Sequence, residues 1–255
     1  MGRLDGKVAL VTGASRGYGR AIAERLARDG AVVAVHYARD DAAAEGTLAS
    51  IRQGGGTAFP VKCALDGSIA RTAALFSAFD AGLGETGRTA LDIVVNNAAV
   101  CLRGFIEETT EELFDEQFAI NAKAPFFLIR EALKRIPDGG RIINITSQTS
   151  TVAFPNIAAY SMSKRALESL THMLAKQLGP RNITVNSVRP GVADTDMNAS
   201  WLPGNPEGRA FASSLSAFNR IADVTDVADI VAFLASHDAR WITGAEIDGA
   251  GGSNL

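Results

Sequence analysis

Val8-Ala9-Leu10-Val11-Thr12-Gly13-Ala14-Ser15-Arg16-Gly17-Tyr18-Gly19 reads as a buried strand that turns through glycine into a helix. Four apolar residues in a row, Val8 to Val11, show no polar alternation, which marks a strand covered on both faces. Glycines in the following turn let the backbone approach a ligand closely. The helix N-terminus adds unpaired N–H groups and the positive end of a dipole, a combination that suits a pyrophosphate. The spacing is Gly-x-x-x-Gly-x-Gly rather than Gly-x-Gly-x-x-Gly, and no Lys-Ser/Thr follows as a Walker A loop would require. A dinucleotide is the expected ligand, held by Gly13, Ser15, Arg16, Gly17, Tyr18 and Gly19.

The strand-turn-helix unit then repeats. Helices are expected at 17–29, 41–52 and 69–82, along a long stretch at 110–136, and at 158–178 and 224–235. Strands are expected at 31–35, 57–61, 93–95, 141–146, 183–188 and 245–247. Such alternation implies right-handed crossovers and a parallel sheet with helices on both faces. The fold class is therefore α/β: a single doubly wound Rossmann-type domain over 1–255 with a seven-stranded parallel sheet. Residues 195–217 carry Pro203, Gly204, Pro206 and Gly208 and break the regularity. A long irregular insertion of this kind is expected to serve as a substrate lid.

With 47% hydrophobic and 21% charged residues the chain has the composition of a globular protein, which excludes disorder as its main state. A net charge of -3 points away from nucleic acid and anionic membranes. No apolar run is long enough to span a bilayer. The start, Met1 to Lys7, lacks the apolar core of a secretory signal, and Gly6 stands where myristoylation needs Ser or Thr, so a cytoplasmic protein is expected. Cys63 and Cys101 form no CxxC and no Cys/His cluster, so no metal is expected, and both read as buried small apolar residues.

At the end of the second strand, His36-Tyr37-Ala38-Arg39 has no carboxylate to hold a bare ribose. Arg16 and Arg39 lie within reach of a 2′-phosphate, so NADP(H) is favoured over NAD, while Asp40 and Asp41 pull the other way. Tyr160 and Lys164 sit four apart on one helical face. A neighbouring ammonium lowers a phenol pKa, which makes the pair a candidate acid/base. Ser147 follows the apolar strand 142–146, at the carboxyl edge where ligands bind in parallel sheets. Asn121 lies inside the long helix, where its side chain competes with the backbone unless a polar site engages it.

Together these residues resemble the short-chain dehydrogenase/reductase family over essentially the whole chain. The resemblance is carried by Thr12–Gly19, Asn96-Asn97-Ala98-Ala99, Asn121, Ser147, Tyr160 with Lys164, and Pro190-Gly191 with Thr195. It implies hydride transfer between a nicotinamide and a carbonyl or alcohol, with Tyr160 as acid/base and Ser147 polarising the substrate oxygen. It implies that Lys164 lowers the Tyr160 pKa and binds the ribose, and that Asn121 anchors a relay water. Tyr37, Arg39, Asn97, Ala98, Tyr160, Lys164, Pro190, Gly191, Val192 and Thr195 complete the implied cofactor contacts, with Thr195 near the carboxamide.

Three positions depart from the family pattern. Ala99 replaces a usual Gly. Ala64 occupies the place of an adenine-contacting Asp, with Asp66 close by. Tyr18 replaces an aliphatic residue. Within the family the chain looks like the 3-oxoacyl-carrier-protein reductases and their polyketide and sugar-alcohol relatives. Adjacency places Val100, Cys101, Leu102, Thr149, Phe154 and Trp201 in the substrate pocket. Phe154, Trp201 and Phe211 favour an apolar or aromatic small-molecule carbonyl, free or carrier-bound. The alternatives are an NAD-dependent alcohol or sugar dehydrogenase and a non-catalytic NADP(H)-binding regulator. The resemblance also implies a homotetramer built partly on the helices at 110–136 and 158–178, with the last residues, 249–255, near an interface.

Overall fold

The computed structural model describes residues 2–253; Met1, Asn254 and Leu255, which belong to the expectations for the two ends of the chain, lie outside them. Seven parallel strands run in the order β3-β2-β1-β4-β5-β6-β7. They are β1 (Val8–Val11), β2 (Val32–Tyr37), β3 (Thr57–Lys62), β4 (Ile93–Asn96), β5 (Arg141–Ile145), β6 (Thr184–Pro190) and β7 (Glu246–Gly249). The helices are α1 (Gly17–Arg28), α2 (Asp41–Gln53), α3 (Ile69–Gly84), α4 (Glu111–Phe118), α5 (Ala124–Ala132), α6 (Ala158–Leu178), α7 (Pro206–Ser214) and α8 (Val224–Ala235).

The uninterrupted apolar strands have a direct cause. Successive strand side chains point to opposite faces, and here both faces are covered. Ala9 and Val11 pack with Ile22 and Leu26 of α1 and Val227 and Val231 of α8. Val8 and Leu10 face the other way, onto Phe76, Phe79, Leu128 and Ile129 of α3 and α5. Because β1 pairs with β2 on one side and β4 on the other, the order of strands reverses beside it. The carboxyl ends of the strands therefore open a crevice at this switch point.

Two expected elements differ. The stretch 110–136 is not one helix: α4 and α5 are separated by a π-helical turn at Ala119–Lys123. Pro125 explains the break. Having no N–H, it leaves the carbonyl four residues back, that of Asn121, without its helical donor, and its ring forces that turn to widen. Residues 195–217 are not irregular throughout either. Asp196–Asn198 forms a short 3-10 turn, and α7 follows, with Asn205 accepting from the Gly208 N–H at 3.0 Å and Pro206 in the first turn.

Candidate active site

The glycine turn is held from below. The Thr12 hydroxyl accepts from the N–H groups of Asn97 and Ala98 at 2.9 and 3.0 Å. The Asn97 amide donates to the carbonyls of Thr12 and Gly13 at 2.9 and 3.1 Å. Asn97, expected among the cofactor contacts, turns its amide toward the turn itself. α2, α3, α4, α7 and α8 each begin with a side-chain cap, whereas α1, like α5 and α6, has none, Arg16 standing at its N-cap position. The N–H groups of Ser15 to Gly19 find no acceptor among the described residues. An open helix terminus on a glycine turn is a cradle for phosphate oxygens, so the residues present fit a dinucleotide.

The charges at this end sort themselves. Asp40 caps α2, accepting from the Ala43 N–H at 2.9 Å. Asp41 accepts from Lys62 Nζ at 2.7 Å and from the Tyr37 hydroxyl at 2.8 Å, and the Lys62 contact holds its carboxyl below the usual range. Both acidic groups are therefore engaged with partners of their own. Arg39 lines the cleft, exposed and without an ion pair among the described residues. Arg16 also lines it, and meets Asp196 at 3.1 Å. Ala64 and Leu65 line the cleft, whereas Asp66 accepts from the Ser68 N–H at 2.8 Å.

Gly13, Ser15, Arg16, Gly17, Tyr18, Gly19, Tyr37, Arg39, Asn97 and Ala98 border one cleft with Ser147, Tyr160, Lys164, Pro190, Gly191, Val192 and Thr195, in a volume of about 1010 Å³. Cys101, Thr149, Phe154 and Trp201 border it too. The Tyr18 phenol donates to the Gly191 carbonyl at 3.3 Å, joining the turn to the end of β6. Cys63 is buried as expected, but Cys101 is only partly so.

At the reacting end, α6 carries Tyr160 and Lys164 on its buried face. Lys164 Nζ donates to the Ile145 carbonyl at 2.8 Å, and burial brings its pKa down to about 8. The Tyr160 phenol is displaced the opposite way from the sequence expectation. Burial pushes its pKa well above the ordinary value; Cys101 adds to the rise and a hydrogen bond with Ser147 opposes it. Lys164 Nζ stands 5.9 Å from the centre of the Tyr160 ring and, with its pKa at about 8, is still an ammonium at neutral pH. The phenol is kept protonated. The Thr149 hydroxyl donates to Ser147 Oγ at 3.1 Å, orienting it toward the cleft residues.

Asn121 sits in the π turn, fully buried, below the cleft floor. Its Oδ1 accepts from the Val100 N–H at 2.9 Å, and its Nδ2 donates to the Val100 carbonyl at 2.8 Å and to Ser163 Oγ at 3.0 Å. Both amide hydrogens are engaged, so this side chain fixes the strand-end segment that lines the substrate side. Asn121→Leu should leave both backbone groups of Val100 unpaired, at about 1–3 kcal/mol each. A chemical denaturation midpoint unchanged from the unmodified protein would contradict that role.

Three further residues were missed from sequence. Gln117 accepts from the Leu102 N–H at 3.0 Å, one turn from Asn121 on the same side. Asn198 accepts from Trp201 Nε1 at 2.9 Å and donates to the Ala193 carbonyl at 2.9 Å, so Trp201 is tied to the segment that follows β6. His36 lies under the glycine turn. A lone His, Gln or Asn, buried like His36 and Gln117 or half-buried like Asn198, has no period of its own, and only a poor helix residue such as Asn121 gives a signal. The Arg103 guanidinium stands 5.6 Å from the Trp201 ring centre.

No helix among the described residues is long and apolar enough to cross a membrane. The model of the family described as Enoyl-(Acyl carrier protein) reductase matches residues 13–254. Elsinochrome reductase 1 of Elsinoe fawcettii is 40% identical, over 97% of this chain and 95% of that protein. The promiscuous reductase LugOII, which catalyses keto-reduction at C1 during lugdunomycin biosynthesis, is 51% identical with a TM-score of 0.94, over 99% and 100% of the two chains. The angucycline C-6 ketoreductase LanV with bound NADP is 54% identical with a TM-score of 0.93, over 98% and 96%. LanV has also been solved with NADP and rabelomycin bound. An open glycine-turn cradle, a Ser-Tyr-Lys group at the other end of one cleft, and likeness over the full length agree: the chain belongs to the short-chain dehydrogenase/reductase family.

Proposed function

We propose that the protein is an NADP(H)-dependent ketoreductase acting on a polycyclic, polyketide-like ketone. The observation that carries the reading is the gathering of Ser147, Tyr160 and Lys164 in the same cleft as the uncapped glycine turn and the exposed Arg39. A phenol that is protonated at neutral pH and aimed at the same oxygen as Ser147 can give its proton to that oxygen as negative charge develops on it. The cofactor, when bound, supplies the hydride. Ser147 donates a hydrogen bond to the substrate carbonyl oxygen, and Tyr160 Oη delivers the proton to that oxygen as charge develops on it. Lys164, fixed by the Ile145 carbonyl, offers its remaining hydrogens to the nicotinamide ribose. Arg39 and Arg16 take the 2′-phosphate, the second by leaving Asp196.

Phe154, Met197, Trp201 and Phe211 give the substrate wall a flat apolar character, and the relatives that act on polyketide ketones point the same way. Residues 195–217 act as the lid. The chain works as one domain, in the cytoplasm. A homotetramer follows the family pattern and would cover Phe126, Met162 and Met173, which stand exposed on α5 and α6.

The test is consumption of NADPH and of NADH with a panel of hydroxylated tricyclic and tetracyclic ketones. Turnover with NADPH and little with NADH is expected. Arg39→Ala should weaken NADPH about tenfold to a hundredfold, the scale of a hydrogen-bonded charge contact, and leave NADH unchanged. Tight NADPH binding with no turnover on any ketone would replace this reading with that of a cofactor-binding regulator.

A further inference from the structure

The glycine turn has two sets of N–H groups. Those of Ser15 to Gly19 are open, while those of Gly13 and Ala14 point back into the fold. Both inward groups end on one residue. The Gly13 N–H donates to His36 Nδ1 at 3.1 Å, and the Ala14 N–H to the His36 carbonyl at 2.8 Å. The other ring nitrogen, Nε2, lies 2.9 Å from the Cys63 carbonyl. Because a backbone N–H can only donate, Nδ1 must be the bare nitrogen, and the ring proton sits on Nε2 and donates to Cys63. His36 is 2% exposed. Burial lowers its pKa to about 4, which keeps the ring in the neutral form this arrangement requires.

The consequence is directional. Gly13 holds a positive φ of 64°, and the turn reverses there. Which way the next five N–H groups face depends on where the Gly13 and Ala14 groups are anchored. Cys63 opens the segment whose Ala64 and Leu65 line the cleft, so the same ring joins the turn to that wall.

We infer that His36 is a positioning residue for the cofactor, its ring aiming the glycine turn's open N–H groups at the phosphates and coupling that turn to the wall after β3. This rests on the NADP(H) reading above.

Two substitutions separate the two ends of the ring. In His36→Asn, Oδ1 stands as many bonds from the backbone as Nδ1 and can still accept from Gly13. In His36→Gln the amide reaches as far as Nε2 and keeps only the Cys63 end. NADPH dissociation constants by fluorescence, KM and kcat for NADPH, and melting temperature are measured for both. His36→Gln should raise Kd and KM about tenfold or more, the scale of a donor left unsatisfied, with kcat at saturating NADPH unchanged. His36→Asn should retain NADPH affinity within about threefold, on the same ground. Equal losses of affinity in the two variants, or a fall in kcat with KM unchanged, would overturn the inference. If His36→Gln does not fold, the imidazole 15N shifts of the unmodified protein decide: a proton on Nε2 supports the role and a proton on Nδ1 refutes it. Failure of the unmodified protein to bind NADPH would instead strike the function reading itself.

Discussion

Tyr160→Phe is expected to lower kcat about a thousandfold while leaving NADPH affinity near its original value, in keeping with the loss of a positioned general acid. The change removes one oxygen. The ring remains in its buried place on α6, so the wall of the cleft keeps its shape. What disappears is the only hydroxyl in the Ser147–Tyr160 pair that can pass a proton to the substrate with the other holding its oxygen. Ser147 keeps its contact with Thr149 and still polarises the carbonyl, so a residual rate should survive. Single-turnover oxidation of pre-bound NADPH is the cleanest measurement, because it isolates chemistry from product release. A rate within threefold of the unmodified enzyme would remove Tyr160 from the mechanism and move attention to a water held near Ser147. The pH profile adds a second check. Reduction should persist as pH rises through neutrality, because Tyr160 stays protonated there. Lys164, whose ammonium is lost as pH passes through about 8, should set the alkaline limit on cofactor handling.

Much of this was readable in the sequence, and the reason differs from part to part. The strands announced themselves because both sheet faces are covered, so runs such as Val8–Val11 and Ile142–Ile143 carry no polar residue. The glycine turn was readable because backbone geometry admits few residues there. Ser147, Tyr160 and Lys164 were found through their placement at a strand end and on one helical face, and the structure gathers them in one cleft. The break in the helix at 110–136 was missed although Pro125 announced it. Helical periodicity continues through a π turn, so hydrophobic pattern alone does not register the extra residue. The balance of charge near Arg39 was unreadable for another reason. Asp41 is disarmed by Lys62, twenty-one positions away on β3, and only the register of β2 against β3 brings the two together. The direction of the Tyr160 shift was read backwards, because spacing shows which groups are near each other but not how dry their surroundings are. Burial of the Tyr160 phenol is the largest cause of its upward shift.

Gly19→Ala should abolish measurable NADPH binding, a loss of at least about a hundredfold, and the comparison that gives this meaning is Gly46→Ala. Helix propensity alone recommends both changes, since Ala is about 1 kcal/mol better than Gly within a helix. At Gly46, on α2, an added Cβ meets only the tip of Arg20 at 3.9 Å, so that variant should gain stability by about that amount and bind NADPH normally. At Gly19 the same methyl would stand near 2.5 Å from Asn97 Nδ2 and closer still to the Gly13 carbonyl. Gly19 has no positive φ, so backbone strain is not the reason. Neither neighbour can swing aside. Gly13 is backbone at the reversal of the turn, and Asn97 is pinned by its bonds to Thr12 and Gly13. The turn must open by more than an ångström, at about 1–3 kcal/mol for forced overpacking, and the N–H groups of Ser15 to Gly19 lose their common direction. Affinity measured by NADPH fluorescence should therefore fall far more than thermal stability does. If Gly19→Ala bound NADPH as tightly as Gly46→Ala, the phosphates would lie elsewhere than on this turn, and the assignment of the cleft's two ends would have to be reversed.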